Sequence, residues 1–224
     1  MKKVSILVPA YNEAAYIVQT LQAIRRHVPC QELIVIDDGS SDQTSELAGG
    51  WADQVIRLPV NRGKGAALKT GWREARGDVL LFLDSDLRES AMHANHLLHP
   101  VKAGWCDMAI AKLPSPKRRA GFGVAKAVAR HGIRYLTGFD PTAPLSGQRA
   151  VRREVLESLG RLDDGFGIEV AMTIDALRAG YRLLEVPVHF CHRESGNNLA
   201  GFLHRGRELI AISRSLGVKW REGR

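Results

Sequence analysis

The sequence predicts an α/β domain built on a mainly parallel sheet with helices on both faces. Two observations carry that expectation. Short apolar runs alternate along the chain with segments of helical periodicity, the order expected of strand–helix–strand units with parallel strands. Several runs also end abruptly in polar clusters, as in Leu80-Leu81-Phe82-Leu83-Asp84-Ser85-Asp86. In open parallel sheets, ligands gather at the carboxyl ends of strands.

Taken in order, Val4–Val8 reads as the first strand. The opening Met1-Lys2-Lys3 and this run superficially resemble a secretion signal, but the apolar core is too short and is cut by Pro9, Asn12 and Glu13. A helical pattern covers Ala14 to about His27, and Glu32–Ile36 is the second strand. Ser41 or Asp42 can cap the helix that follows, with Glu46 in its first turns. Gln54–Leu58 is a short strand before Asn61-Arg62-Gly63-Lys64-Gly65, which opens a helix through about Ala75. Asp78–Leu83 is the next strand.

Beyond Asp86 a helix is expected around Ala91–Lys102 and a strand at Met108–Ala111. The loop Pro114-Ser115-Pro116-Lys117-Arg118-Arg119 follows, and its composition marks a surface loop. A helix near Phe122–Leu136 leads to the turn-rich stretch Asp140–Gly147. Val170–Ala179 reads as helix, and Leu183–Phe190 as a strand whose Pro187 places it at a sheet edge. Roughly Leu199–Leu216 is a last helix carrying Arg205, Arg207 and Arg214.

The 224 residues suffice for one domain with a full core. No apolar stretch reaches the length of about 18 residues that a membrane-spanning helix needs. Cys30, Cys106 and Cys191 are scattered, odd in number and without Cys-x-x-Cys spacing, so neither a disulfide framework nor a zinc site is expected. A reducing cytoplasm fits. The balance of 32 basic against 24 acidic residues, +8 in all, suits an anionic partner without choosing one.

Asp84 and Asp86 offer oxygen ligands to a hard divalent cation, which substrate phosphates can also hold. Alone, the same pair also fits simple turn chemistry. The rest of the chain decides. Pro9-Ala10-Tyr11-Asn12-Glu13, Asp37-Asp38-Gly39-Ser40, Asn61-Arg62-Gly63-Lys64-Gly65 and Asp84-Ser85-Asp86 all fall at strand ends or helix starts within 90 residues. As "VPAYNE", "VIDDGSSDQT", "NRGKGAAL" and "LFLDSD" they resemble, in order and spacing, the family 2 glycosyltransferases.

That resemblance implies the GT-A nucleotide-sugar-binding fold over a single domain, 1–224, with residues 1–90 binding the nucleotide sugar and 91–224 the acceptor. It implies Mg²⁺ or Mn²⁺ on the diphosphate, held by Asp84 and Asp86, with Asp86 counted as catalytic. Pro9, Ala10, Tyr11, Glu13, Asp37, Asp38, Lys64, Asp84 and Ser85 are then the donor-site residues. The chemistry suits them. Asp38 and Glu13 can accept hydrogen bonds from a base or ribose, and Tyr11 offers a ring to pack on a base. Gly63-Lys64-Gly65 brings backbone and a point charge to a helix N-terminus, where anions are favoured. It is not a Walker loop, whose spacing is absent.

"DPTAPLSGQRAVRREVLE" resembles the Ser-Gly-x-Arg segment of polyprenol-phosphate sugar transferases. "GFGIEVAMTIDAL" and "CHRESGN" resemble segments of glucosyl-3-phosphoglycerate and mannosylglycerate synthases. The second likeness implies a catalytic Glu169 near the sugar and His192 as a further metal ligand. The acceptor is expected to be anionic: a polyprenyl phosphate, or a small phosphorylated or carboxylated metabolite. Its expected contacts are Lys117, Arg118, Arg119, Gly147 and Gln148, with Arg149, Arg152 and Arg153 clustered just beyond. The chain lacks an evident base for a hydroxyl acceptor, and the Gln-x-x-Arg-Trp motif of processive synthases is missing.

The expected donor is a UDP-sugar ahead of a GDP-sugar. Peripheral membrane association through the last helix and a homodimer are both compatible with the sequence, and nucleic acid is not an expected partner. Two alternatives stand beside this reading. A nucleotidyltransferase would need a basic glycine-rich loop after strand one, and a nucleic-acid module would need basic and aromatic residues interleaved, whereas aromatics are 6%.

Overall fold

The computed structural model describes residues 2–113, 123–159, 167–191 and 199–222. β1 (Val4–Ala10), β2 (Glu32–Asp37), β3 (Gln54–Arg57), β4 (Val79–Phe82), β5 (Met108–Lys112), β6 (Arg149–Arg152) and β7 (Leu183–Pro187) form one sheet in the order β3-β2-β1-β4-β6-β5-β7. All neighbours are parallel except β6, which runs antiparallel to both β4 and β5. The mainly parallel GT-A sheet predicted from sequence is present.

Alternation along β1 shows how the sheet is sandwiched, since successive side chains point to opposite faces. Ile6 and Val8 join Ile17, Leu21 and Ile24 of α1 (Ile17–His27) and Leu97 and Val101 of α4 (Asn95–Lys102). Leu7, with Ile34, Ile36, Leu80 and Phe82, faces α3 (Lys64–Glu74) and α7 (Ile168–Arg178) on the other side. A third cluster ties α7 to α5 (Gly123–Thr137) and α8 (Leu199–Glu222).

Several boundaries differ from expectation for identifiable reasons. β1 runs on through Pro9 and Ala10, paired with β2. Its pairing with β4 ends at Leu7 and Phe82, so the N–H that Pro9 lacks is not needed on that side. α1 begins at Ile17 rather than Ala14, because Asn12 takes φ 54 and Glu13 O receives both Tyr16 N–H and Ile17 N–H in a turn. The helix expected over Ala91–Lys102 is a 3₁₀ segment, Arg88–Ala94, followed by α4. β7 stops at Pro187, at the sheet edge as expected. After Asp37, α2 (Thr44–Gly49) is held by Asp42, whose Oδ1 accepts Thr44 N–H at 3.0 Å.

β6 and α6 (Arg153–Ser158) were not foreseen. Arg-Ala-Val-Arg is four residues with charge at both ends and carries no strand signature by itself. β6 also overturns the expected arginine cluster. Because its antiparallel register sets Arg149 opposite Phe82 and Arg152 opposite Val79, the arginines lie at opposite ends of the sheet.

Candidate active site

The carboxyl ends of β1, β2 and β4 converge with the N-termini of α3 and α7, and the charged side chains there meet at Lys64. Its Nζ lies 2.6 Å from Asp84 Oδ1 and 3.5 Å from Glu169 Oε1. Gln148 Nε2 donates to the other Asp84 oxygen. Burial by itself would lower the Lys64 pKa, but the Asp84 and Glu169 carboxylates raise it, so the ammonium stays charged through the physiological range. Gly147 makes the convergence feasible: a Cβ there would stand 2.2 Å from Lys64 Nζ and 3.4 Å from Glu169 Oε1. Gly63, at φ 93, supplies the left-handed residue from which α3 starts.

Asp86 is half-buried on the same turn, and Ser85 is buried between the two aspartates. Their fit to a divalent cation can be judged from Asp84, which already grips a cationic group, the Lys64 ammonium, at 2.6 Å. Hard oxygen donors at a strand end suit Mg²⁺ or Mn²⁺, which take one or two carboxylates with phosphate and water completing the shell. Among the described residues no group of three or more His, Cys, Asp and Glu forms a cage. His192, the expected third ligand, lies outside the described residues, as do Lys117, Arg118 and Arg119.

The other residues expected at the donor site form a rim around this centre. Asp38 is 4% exposed, and its two oxygens accept Arg62 N–H (2.9 Å) and Gly63 N–H (2.8 Å). It thereby fastens the loop that launches Lys64. Asp37 is fully buried, accepts Ser40 N–H at 2.9 Å and faces Arg57 Nε at 3.5 Å. Asn12 N–H donates to Ser40 Oγ and its Oδ1 accepts Ser41 N–H, both at 2.9 Å. Glu13 N–H donates to Thr44 Oγ1 at 2.8 Å. Pro9 and Ala10 are buried strand residues, whereas the Tyr11 ring is 47% exposed at the rim. A pocket of about 360 Å³ opens beside β2, lined by Gly39, Ser40, Arg57, Leu58 and Pro59.

Where the acceptor was expected, the structure revises the role of the arginines. Arg149 is buried, donates to Ser146 O (2.8 Å) and Thr173 Oγ1 (2.9 Å), and burial pulls its pKa down to about 10. Arg152 pairs with Asp107 and Glu154, and Arg153 binds the carbonyls of Ala75 and Gly77 at the far end of the sheet. They do not form one basic cluster. Gln148 is buried against Asp84, so its amide serves the carboxylate. Thr20, Arg57 and Glu185 went unnoticed in the sequence. The signal for Thr20 was a polar residue on the apolar stripe Ile17-Leu21-Ile24 of α1; Arg57 and Glu185 had none.

A GT-A sheet with an Asp-x-Asp turn at its carboxyl edge, facing a lysine launched from a glycine-rich loop, defines a nucleotide-sugar type of site. The family comparison agrees. Residues 5–160 match the family described as glycosyl transferase family 2, and the chain belongs to that family. It is an enzyme of the glycosyltransferase class, which sets the nucleotidyltransferase and nucleic-acid readings aside.

Similar proteins include both sequence relatives and solved structures. The undecaprenyl-phosphate mannosyltransferase of Micrococcus luteus is 29% identical over 97% of this chain and 96% of its own length. The polyprenol monophosphomannose synthase of Mycolicibacterium smegmatis is 32% identical, covering 85% and 78%. Among solved structures, glucosyl-3-phosphoglycerate synthase from Mycobacterium tuberculosis in complex with Mn²⁺, UDP and glucosyl-3-phosphoglycerate superposes with a TM-score of 0.82. It is 27% identical, covering 97% of this chain and 80% of that one.

Proposed function

We propose that this chain transfers a sugar from a nucleotide sugar, UDP-linked ahead of GDP-linked, to an anionic acceptor, with Mg²⁺ or Mn²⁺ as cofactor. The observation that carries the reading is the convergence of Asp84, Lys64, Gln148 and Glu169 beside Asp86 at the carboxyl end of β4. Asp84 and Asp86 would hold the metal, which would supply Lewis-acid neutralisation of the leaving nucleotide.

The chain's own groups do the rest. Lys64, permanently charged, adds a second positive centre where negative charge develops. Gln148 fixes the Asp84 carboxylate. Glu169, in the first turn of α7, stands beside the sugar. Asp38 and Tyr11 shape the base side, with Glu13, Asp37, Pro9, Ala10 and Ser85 around them. His192 is proposed as the third metal ligand. In support, the preceding residue, Cys191, donates its N–H to Ser90 Oγ at 2.9 Å, four residues beyond Asp86.

A polyprenyl phosphate is the acceptor favoured by the two sequence relatives, whose names state that chemistry. An ionised phosphate oxygen needs no base to become a nucleophile, which suits a site with a lysine beside its carboxylates. A small phosphorylated acceptor is the second reading, favoured by the likeness to glucosyl-3-phosphoglycerate synthase. Lys117, Arg118, Arg119 and Gly147 are proposed to line the acceptor's path in either case. With a lipid acceptor the chain would work peripherally at the inner face of the membrane. Among the described residues, no helix is long and apolar enough to cross it.

The test is a transfer screen of UDP- and GDP-sugars with Mn²⁺, offering undecaprenyl phosphate or 3-phosphoglycerate, repeated in EDTA and with Asp86→Ala. Turnover should require metal and fall by about 10²-fold or more in the variant, the scale of losing a principal transition-state contact. Undiminished transfer by Asp86→Ala in EDTA would refute the reading.

A further inference from the structure

We propose that Thr20 of α1 is a positioning residue for the metal-binding turn, its hydroxyl fixing the backbone that presents Asp86. The inference rests on the assignment of Asp84 and Asp86 as metal ligands. Thr20 is fully buried in the stripe of α1 that packs on the sheet. Its Oγ1–H donates to Ser85 O at 2.8 Å, and the same oxygen accepts Arg88 N–H at 2.8 Å. Those two backbone groups bracket Asp86 on either side. The helical carbonyl of Tyr16 is a more distant acceptor, at 3.3 Å, so the single hydroxyl proton goes to Ser85.

The turn needs such a restraint because Arg88 takes φ 51, a left-handed conformation that a long L side chain adopts at a cost. A non-glycine residue stays there only when its surroundings hold it. Two restraints come from α1 and the residue that precedes it: the Thr20 hydroxyl, and Tyr16, whose ring centroid lies 5.4 Å from the Arg88 guanidinium carbon. Ser90 supplies another, its Oγ donating to Leu87 O at 2.6 Å. Of these, only Thr20 touches the backbone on both sides of Asp86.

Metal binding by a pair of carboxylates depends on holding their oxygens at fixed separation, and supporting groups of this kind typically govern affinity by 10–100-fold. A valine would fill the same volume without either hydrogen bond. The hydroxyl's contribution is therefore separable from packing.

The experiment compares Thr20→Val and Thr20→Ser in the full chain with the parent. The first readout is hydrogen exchange at the Arg88 amide without metal, and the second is a Mn²⁺ titration followed by electron paramagnetic resonance in the presence of UDP. Thr20→Val should exchange Arg88 about tenfold faster or more and bind Mn²⁺ about tenfold more weakly, with UDP affinity in EDTA unchanged. Thr20→Ser, which keeps the hydroxyl, should restore both close to the parental values.

Parental Mn²⁺ affinity and Arg88 exchange in Thr20→Val would overturn the proposal. So would a Thr20→Ser chain that melts normally yet binds Mn²⁺ as weakly as Thr20→Val, because packing would then be the cause; this arm decides the matter even where Thr20→Val does not fold. Asp86→Ala separates the two levels. If it leaves Mn²⁺ binding intact the metal assignment fails, whereas faster Arg88 exchange in Thr20→Val still upholds the hydroxyl's hold on the turn.

Discussion

The half of the molecule proposed to hold the donor and the half proposed to hold the acceptor reach the same cleft by different constructions. In the donor half, β1, β2 and β4 are parallel and adjacent or nearly so, and each delivers its polar cluster where the strand ends. Those clusters are braced by side chains bonding the backbone of adjoining turns: Asp38 to the 62–63 amides, Ser40 to Asn12, Thr20 to the Asp-x-Asp turn. In the acceptor half, β6 reverses direction between β4 and β5. Gly147 and Gln148 then come from the connection into β6 and Glu169 from the first turn of α7, and Asp84 and Lys64 join the two. There the contacts run from side chain to side chain, so one substitution can displace its partner, whereas the donor clusters are braced on backbone.

The sharpest way to break this contrast is at Gly147, where the halves touch. Gly147→Ala puts a methyl 2.2 Å from Lys64 Nζ. The lysine tip is flexible, so the fold should survive while the ammonium leaves Asp84. Loss of one electrostatic contact of this kind predicts a fall in transfer of about hundredfold with little change in melting temperature. Gly217→Ala, whose added methyl meets nothing within 4 Å, is the control and should keep full activity. Equal effects at the two glycines would show that Lys64 does not depend on the space at Gly147.

A smaller effect is expected at Glu185, on the edge strand β7. Its carboxylate accepts Thr142 N–H (2.8 Å), Ala143 N–H (2.7 Å) and the Thr142 hydroxyl (2.5 Å). It therefore anchors the loop that runs on to Gly147, while Arg130 grips the same loop through Asp140. Glu185→Ala should raise the acceptor KM about tenfold, about 1.4 kcal/mol and close to the lower end of the range for hydrogen bonds to a charged group. Hydrolysis of the nucleotide sugar should stay at the parental rate. If donor hydrolysis fell in step with transfer, the loop would belong to both halves and the contrast would dissolve.

The same contrast explains what could be read from sequence. The Asp38 and Lys64 segments and the Asp84-Ser85-Asp86 turn lie at strand ends or helix starts that the sequence shows directly, as apolar runs breaking into polar clusters. β6 is four residues with arginine at each end, and its pairing with β4 is invisible without the fold. For that reason Arg149, Arg152 and Arg153 looked like one basic cluster, and Gln148 like an acceptor contact. Glu169 could be placed only through likeness to known enzymes, since a helix-start glutamate has an ordinary explanation in the helix dipole. Thr20 carried a local sign, a hydroxyl on an apolar stripe, but its partners lie 65 and 68 residues away.

The smallest effect on activity is predicted for Asp107, at the end of the sheet opposite the cleft, and it isolates the structural role of Arg152. Asp107 is largely buried, accepts Arg182 N–H at 2.8 Å and lies 3.1 Å from Arg152 Nη1 and 3.4 Å from Arg182 Nε. Burial pushes its pKa up, but the Arg182 amide and guanidinium and the Arg152 charge outweigh that and hold it below the usual carboxylate value. A depressed folded pKa contributes stability above the unfolded pKa, about 3.9, and that contribution is lost as pH falls through the folded value. Asp107→Asn should therefore cost about 1–3 kcal/mol near neutral pH, roughly 2–4 °C of Tm per kcal/mol for a chain of this size. The deficit should shrink as pH drops below about 4, where the parent loses its charge as well. Transfer and acceptor KM should match the parent at permissive temperature, because Arg152 serves this ion pair and not the acceptor. A raised acceptor KM in Asp107→Asn with an unchanged melting curve would return Arg152 to the acceptor site and overturn the division between the two ends of the sheet.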